Sequence, residues 1–182
     1  MLGLEETLAW HRAAVEAFVA SAAATASEDW HRPVREGKWS PAQIAEHLFL
    51  GLEAVRRDLE QGPPMKFVLP AWKRLLLRRT VLPRLLATGR FPAGVRAPRE
   101  IRPAVPTVTR EEALRRLESA AAQIDARCKR DPRAASLRLA HPYFGALPAP
   151  DLILILAWHT IHHRAQLPAA PPSSRVSASR PQ

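Results

Sequence analysis

The sequence is poor in cysteine: Cys128 is the single one among 182 residues. One cysteine cannot form a disulfide within the chain, and it excludes a metal site built from several thiolates. A metal ion would therefore have to be held by nitrogen and oxygen ligands. A low thiol count also agrees with a reducing compartment, where structural disulfides are rare.

Long apolar runs are missing as well. The longest one, residues 152–158, is far shorter than the roughly 20 residues that a membrane-spanning helix needs. Near the amino terminus, Glu5 and Glu6 stand where a secretory signal would need a positive start and an apolar run. We therefore expect a cytoplasmic protein without a membrane span.

Acidic residues are the scarcer charge: 17 Asp and Glu stand against 27 Lys and Arg, which gives a formal net charge of +10. Most of this excess falls in residues 66–102, here called the basic segment, where Glu100 is the one acidic residue. The charge lies in one connecting region without a recognisable helix for binding in a groove of DNA or RNA. We therefore do not expect nucleic acid to be a partner. Phe67 and Trp72 within the segment leave open a role at a membrane surface or against a partner helix. A rim that attracts anionic substrates is a further alternative.

No segment shows sustained alternation of apolar and polar residues, so no strand is predicted. Helical periodicity recurs instead in four segments, at about residues 3–26, 41–61, 110–129 and 150–167. The second helix has a clear start, because Ser40, Pro41 and Gln43 match a capping box with proline at the first helical position. Thr109 and Glu112 mark the start of the third helix in the same way.

The order of these helices predicts an all-α fold, a four-helix bundle with a long, partly helical crossover between the second and third helices. The crossover, residues 66–106, is basic and proline-rich. Pro70 and Pro83 should limit its helical content to one short piece between them, and later prolines favour an extended chain. We expect one domain over residues 1–167 and a disordered Pro/Ser-rich tail over residues 168–182.

The most informative stretch is a histidine cluster on the last predicted helix. His159 and His163 are one helical turn apart, and this places them on the same, apolar face. A buried imidazole needs a partner for each ring nitrogen, and a divalent metal ion can serve two stacked rings at once. His162 points to the other side, so we expect it at the rim of such a site. Gln166 returns to the inward face and is more often a hydrogen-bonding amide than a ligand.

His47 is the candidate third ligand, because it lies in the apolar stripe of the second helix. Taken alone, a histidine in this position is more often a core residue with satisfied hydrogen bonds. Gly51, one turn later, would leave room beside the ring. The sequence shows no Asp or Glu on the apolar face of either helix that could act as a general base.

Three motifs together resemble the DinB-like superfamily. They are W-S-P-x-x-I-x-E-H-L at residues 39–48, H-P-x-F-G at residues 141–145 and H-x-x-H-H-x-x-Q-L at residues 159–167. The resemblance covers about residues 1–167. It implies a four-helix bundle that holds a divalent metal ion on three histidines, which in this sequence are His47, His159 and His163.

The resemblance also implies a type of chemistry. Known members of that superfamily include metal-dependent transferases that activate a low-molecular-weight thiol for attack on an electrophilic substrate, and dimers are common among them. We therefore expect a divalent metal ion (zinc, nickel or iron), a small thiol, an electrophilic substrate and a homodimer. The alternatives are a metal-dependent hydrolase, a purely structural metal, and a non-catalytic binding module that uses the basic segment.

Overall fold

The computed structural model describes residues 2–104 and 108–168. Six α-helices, three short 3₁₀-helices and two short strands occur in these ranges, and the α-helices and strands carry labels. They are α1 (Leu4–Ala23), α2 (Pro41–Leu59), α3 (Ala71–Thr80), α4 (Leu82–Thr88), α5 (Arg110–Arg130), β1 (Arg138–His141), β2 (Gly145–Pro148) and α6 (Ala149–Arg164). The expected tail lies outside the described residues, except for Pro168.

Four of the helices form the bundle, which confirms the predicted fold. Helix α1 packs most extensively against α6, and α2 packs most extensively against α5, while α1 and α5 join the two pairs. The core between them holds fully buried apolar side chains from all four helices, including Phe18, Ile44, Leu117 and Ile153. Each such side chain stabilises the fold by about 1.5–3 kcal/mol relative to an exposed one.

Local sequence sets the helix starts. The Ser40 hydroxyl accepts a hydrogen bond from the Gln43 N–H, and the Gln43 side chain accepts one from the Ser40 N–H, so the predicted capping box is formed. Thr109 accepts a hydrogen bond from the Glu112 N–H at the start of α5. Such caps satisfy amide groups that have no partner within the helix, and each contributes about 1 kcal/mol.

The crossover contains more helix than predicted. Pro83 does not end the helical region, because it occupies the second position of α4, where its missing N–H would have no helical partner anyway. Helix α4 is anchored by a small separate core. This core consists of Leu82, Leu85, Phe144, Leu147 and Ile155.

The prediction that the chain has no strand was wrong. Strands β1 and β2 form an antiparallel hairpin in which Arg138 pairs with Pro148 and His141 pairs with Gly145. Asp58 of α2 holds the hairpin to the bundle by accepting a 2.6 Å hydrogen bond from the Ala140 N–H. Four-residue strands are too short to show alternation in the sequence, so periodicity could not reveal them.

Within residues 2–104 and 108–168, none of the helices combines the length and apolar character that crossing a membrane requires.

Candidate metal centre

Helix α6 places two histidines at one site. The helix lies among α1, α4 and the hairpin, and its residues from Leu152 to Ala157 are all buried. The next turn carries His159 and His163 on one side of the helix, as their four-residue spacing predicts. Their Nε2 atoms are 3.1 Å apart.

His47 reaches the same point from α2. Its Nε2 atom lies 3.2 Å from Nε2 of His159, and the candidate ligand atoms of the three histidines all lie within 4.8 Å of one another. His47 and His163 are buried, whereas His159 keeps some exposed surface. The structure therefore brings together the three histidines that the sequence singled out, with one side open to solvent.

Hydrogen bonds at Nδ1, on the side away from the cluster, orient two of the imidazole rings. The Nδ1–H of His47 donates a 2.6 Å hydrogen bond to the carbonyl oxygen of Ile101, and the Nδ1–H of His163 donates a 3.0 Å hydrogen bond to Oε1 of Gln166. Both oxygens can only accept, so in each neutral ring the proton is on Nδ1. The Nε2 lone pairs of His47 and His163 consequently point into the cluster.

This arrangement fits a cation better than it fits hydrogen bonds alone. Nε2 of His159 faces the lone pairs of both His47 and His163, yet a neutral ring has at most one Nε2 proton to offer. At least one nitrogen would then face another lone pair at about hydrogen-bond distance. A divalent ion can accept all three lone pairs, and a partner on Nδ1 is the usual support of a metal-binding histidine.

The protonation state suits metal binding too. Burial lowers the pKa of His47, and burial together with the neighbouring His163 and His47 lowers the pKa of His159 well below its ordinary value. Burial lowers the pKa of His163 to about 3. The three rings are therefore neutral near pH 7, the form in which imidazole binds a metal ion.

Aromatic and small residues surround the cluster. The Trp39 ring packs 4.7 Å from the His47 ring, centre to centre, and Phe91 of the crossover lies 5.6 Å from the His159 ring. Gly51 is buried one turn after His47. A Cβ atom there would have no side chain or remote backbone of the described residues within 4 Å, so position 51 borders open space.

The remaining polar residues of the motif lie at the rim. His162 is exposed, as predicted, and its Nε2 accepts a 2.9 Å hydrogen bond from Nε2 of Gln166. Gln166 thus links the exposed His162 to the buried His163. Gln166 acts as the hydrogen-bonding amide that the sequence suggested.

His141 and His11 do not join the cluster. His141 stacks on Phe144 in the hairpin turn, where its Nδ1 accepts hydrogen bonds from the N–H groups of Tyr143 and Phe144, so it is a structural residue. His11 is buried on α1, and its Nε2 has no hydrogen-bond partner among the described residues.

Sequence reasoning missed two contributions from the crossover. Ile101 supports His47 through a backbone carbonyl, which a side-chain pattern cannot reveal. Phe91 covers the site from a proline-rich stretch without regular periodicity. The separation of 54 residues between Ile101 and His47 offers no local signal either.

Two helices of the four-helix bundle contribute three histidines that converge on one point. This arrangement defines a class of helical proteins with a site suited to a divalent metal ion. The chain belongs to the DinB superfamily, whose family model matches residues 7–167. This confirms the resemblance seen in the three sequence motifs.

The solved structure of TT2238, described as a four-helix bundle protein, is similar in fold. The two chains are 22% identical with a TM-score of 0.57, and the match covers 89% of this chain and 95% of that one. At this identity the likeness extends to the fold alone. No curated protein matches the sequence.

Proposed function

We propose that His47, His159 and His163 bind a divalent metal ion, and that the protein is a metal-dependent transferase that activates a low-molecular-weight thiol. The observation that carries the proposal is the convergence of the Nε2 atoms of three neutral imidazoles. Hydrogen bonds at Nδ1 orient two of these rings. Zinc, nickel and iron all suit three imidazole nitrogens with open positions. When bound, such an ion lowers the pKa of a thiol or a water molecule beside it.

The chain's own residues would set the geometry of the reaction. Ile101 and Gln166 hold two of the rings in place, and the partial exposure of His159 leaves one side for substrate. The thiol would release its proton to solvent on this side. Its sulfur would then form a bond to the electrophilic carbon, and the leaving group would depart with the bonding electron pair.

Thiol transfer is favoured over hydrolysis by the residues around the cluster. Among the described residues, the cluster contains the three histidines and no carboxylate. Hydrolysis usually relies on a positioned general base that takes a proton from water. A thiol needs less help, because its ordinary pKa is already close to neutral.

Metal content tests the first part of the proposal. We expect about one metal ion per chain in protein purified without metal-affinity resin, and loss of that metal in His159→Ala. The exposed His31→Ala is the matched control and should keep the metal. An absence of metal, together with unchanged affinity for added zinc in His159→Ala, would overturn the site.

Activity tests the second part. The metal-loaded protein should speed the reaction of small thiols with a chlorinated aromatic electrophile, and His159→Ala should not. Hydrolysis of a nitrophenyl ester without thiol consumption would support the hydrolase instead. Bound metal without either activity would favour a structural role for the ion.

A further inference from the structure

Helix α3 presents its apolar side chains to solvent. Trp72 is 63% exposed, Leu75 is 52% exposed and Leu76 is 54% exposed, and α3 contains no buried residue. Positions 72, 75 and 76 fall on one face of a helix, because three- and four-residue spacings bring side chains together. Exposed apolar clusters of this kind are typical of surfaces that bind another molecule or a membrane.

The orientation of α3 is fixed by its opposite face. Leu77 packs against the small core around α4, and the Arg74 guanidinium lies 3.9 Å from the centre of the Phe67 ring. Arg74, Leu77 and Arg78 are the partly buried residues of the helix. The apolar residues therefore face outwards because the chain holds the opposite side against the protein.

Positive charge surrounds the exposed apolar residues. Lys73 and Arg79 are exposed on the same helix, and Arg79 lies on the outward face one turn beyond Leu75 and Leu76. Residues 61–99 contain no Asp or Glu. We call Trp72, Lys73, Leu75, Leu76 and Arg79 the α3 surface.

We propose that the α3 surface binds the anionic surface of a lipid membrane as a peripheral contact. Tryptophan and leucine side chains can enter the boundary between headgroups and acyl chains, while lysine and arginine pair with anionic headgroups. The acid-free sequence around them supplies the charge complementarity that a negatively charged membrane requires.

Other occupants match the α3 surface less well. A second copy of the chain in a face-to-face dimer would bring Lys73 and Arg79 against like charges, with no acidic residue in positions 61–99 to neutralise them. Nucleic acid would contact the basic residues, yet its phosphates would leave Leu75 and Leu76 without an apolar partner.

Vesicle sedimentation of the full chain tests the proposal. At physiological ionic strength the protein should sediment with vesicles of phosphatidylcholine and phosphatidylglycerol, and not with vesicles of phosphatidylcholine alone. The triple variant Trp72→Ser, Leu75→Ser, Leu76→Ser should lose this binding. The double variant Lys73→Gln, Arg79→Gln should weaken it about tenfold or more, since both charges contribute at the membrane surface.

Val95→Ser provides the matched control, because Val95 is an exposed apolar residue outside α3. This variant should bind the anionic vesicles as the parent does. All substituted side chains are exposed, so circular dichroism should show unchanged helix content in every variant.

Four outcomes would overturn the proposal. The first is equal sedimentation with neutral and anionic vesicles, and the second is no sedimentation with either kind of vesicle, even at low salt. The third is a concentration-dependent dimer that the triple variant abolishes. The fourth is binding of RNA or DNA that the double variant abolishes and the triple variant retains. The third outcome would assign the α3 surface to a second copy, and the fourth would assign it to nucleic acid.

Discussion

Gly89 and Trp158 lie in such close contact that a Cβ atom at position 89 would overlap the indole ring. The indole Nε1–H of Trp158 also donates a 3.2 Å hydrogen bond to the carbonyl oxygen of Leu86 at the end of α4. Because Trp158 directly precedes His159, this contact fixes the crossover on α6 beside the candidate metal centre. It also places Phe91 near the His159 ring.

Gly89→Ala should loosen this contact. Gly89 has a left-handed backbone with φ of 65°, which costs alanine about 1–2 kcal/mol, and the new methyl group must also displace the indole ring. The matched control is Gly94→Ala, which has φ of 76° and open space around its Cβ position. In urea denaturation, Gly89→Ala should lose about 1–3 kcal/mol more free energy of unfolding than Gly94→Ala. Equal losses would show that the indole contact contributes nothing.

Gln166→Ala should weaken metal binding without removing a ligand. The substitution takes away the acceptor that keeps the proton of His163 on Nδ1, so the lone pair on Nε2 is no longer fixed towards the cluster. Loss of such a partner typically lowers metal affinity about 10- to 100-fold. Competition with a chelator measures the change, and Gln123→Ala, at an exposed glutamine of α5, is the control. Unchanged affinity would remove Gln166 from the support of the site.

His141→Asn should make the metal-free protein more resistant to acid. Burial lowers the pKa of His141 from 6.5 to about 3. Between pH 6.5 and about pH 3, His141 therefore binds a proton in the unfolded chain and stays neutral in the folded chain. The stability that neutral His141 provides is complete above about pH 6.5 and is lost as the pH falls towards about 3. Asparagine has no such titration, and its side-chain oxygen can still accept from the N–H groups of Tyr143 and Phe144.

Urea denaturation at several pH values, with chelator present, measures this effect. Between about pH 4 and 6, the slope of unfolding free energy against pH should be smaller in His141→Asn. The difference should correspond to about one proton bound on unfolding. His11 and His163 also have lowered pKa values, about 4 and about 3, so part of the slope remains in the variant. Identical slopes would contradict the assignment to His141.

Cys128 should resist thiol reagents in the folded protein. Burial raises the pKa of its thiol to about 11, which leaves almost no thiolate near pH 7. Reaction with a disulfide reagent should therefore be slow in buffer and complete in denaturant. A fast reaction in buffer would show that α5 opens locally around Cys128 or that the thiol is more acidic than its surroundings imply.

Much of the fold could be predicted because its signals are local. Ser40, Pro41 and Gln43 lie within one turn and determine where α2 begins, and Thr109 does the same for α5. The histidine pair on α6 was readable for a similar reason, since helical spacing alone places His159 and His163 side by side. His47 was predicted from its place in an apolar stripe, and only the structure brings it to the pair.

What the sequence did not reveal depends on contacts between distant segments. The hairpin strands have four residues each and pair through the backbone, and the support for His47 comes from a carbonyl group in the crossover. The residue type alone predicts that Pro83 ends a helix, although the start of a helix tolerates proline. The outward direction of Trp72 depends on how the rest of α3 packs, which periodicity cannot decide.

Gly51 lies one turn after His47 and borders open space, so the volume on this side of α2 depends on a single side chain. A Cβ at this position would point towards the amino end of α2, the direction of His47, and would enter open space. A chain with serine or valine there would keep the same three histidines and fill part of this space. The shape of the protein one turn from His47 can therefore change independently of the metal ligands, so two proteins with identical histidines need not share a substrate.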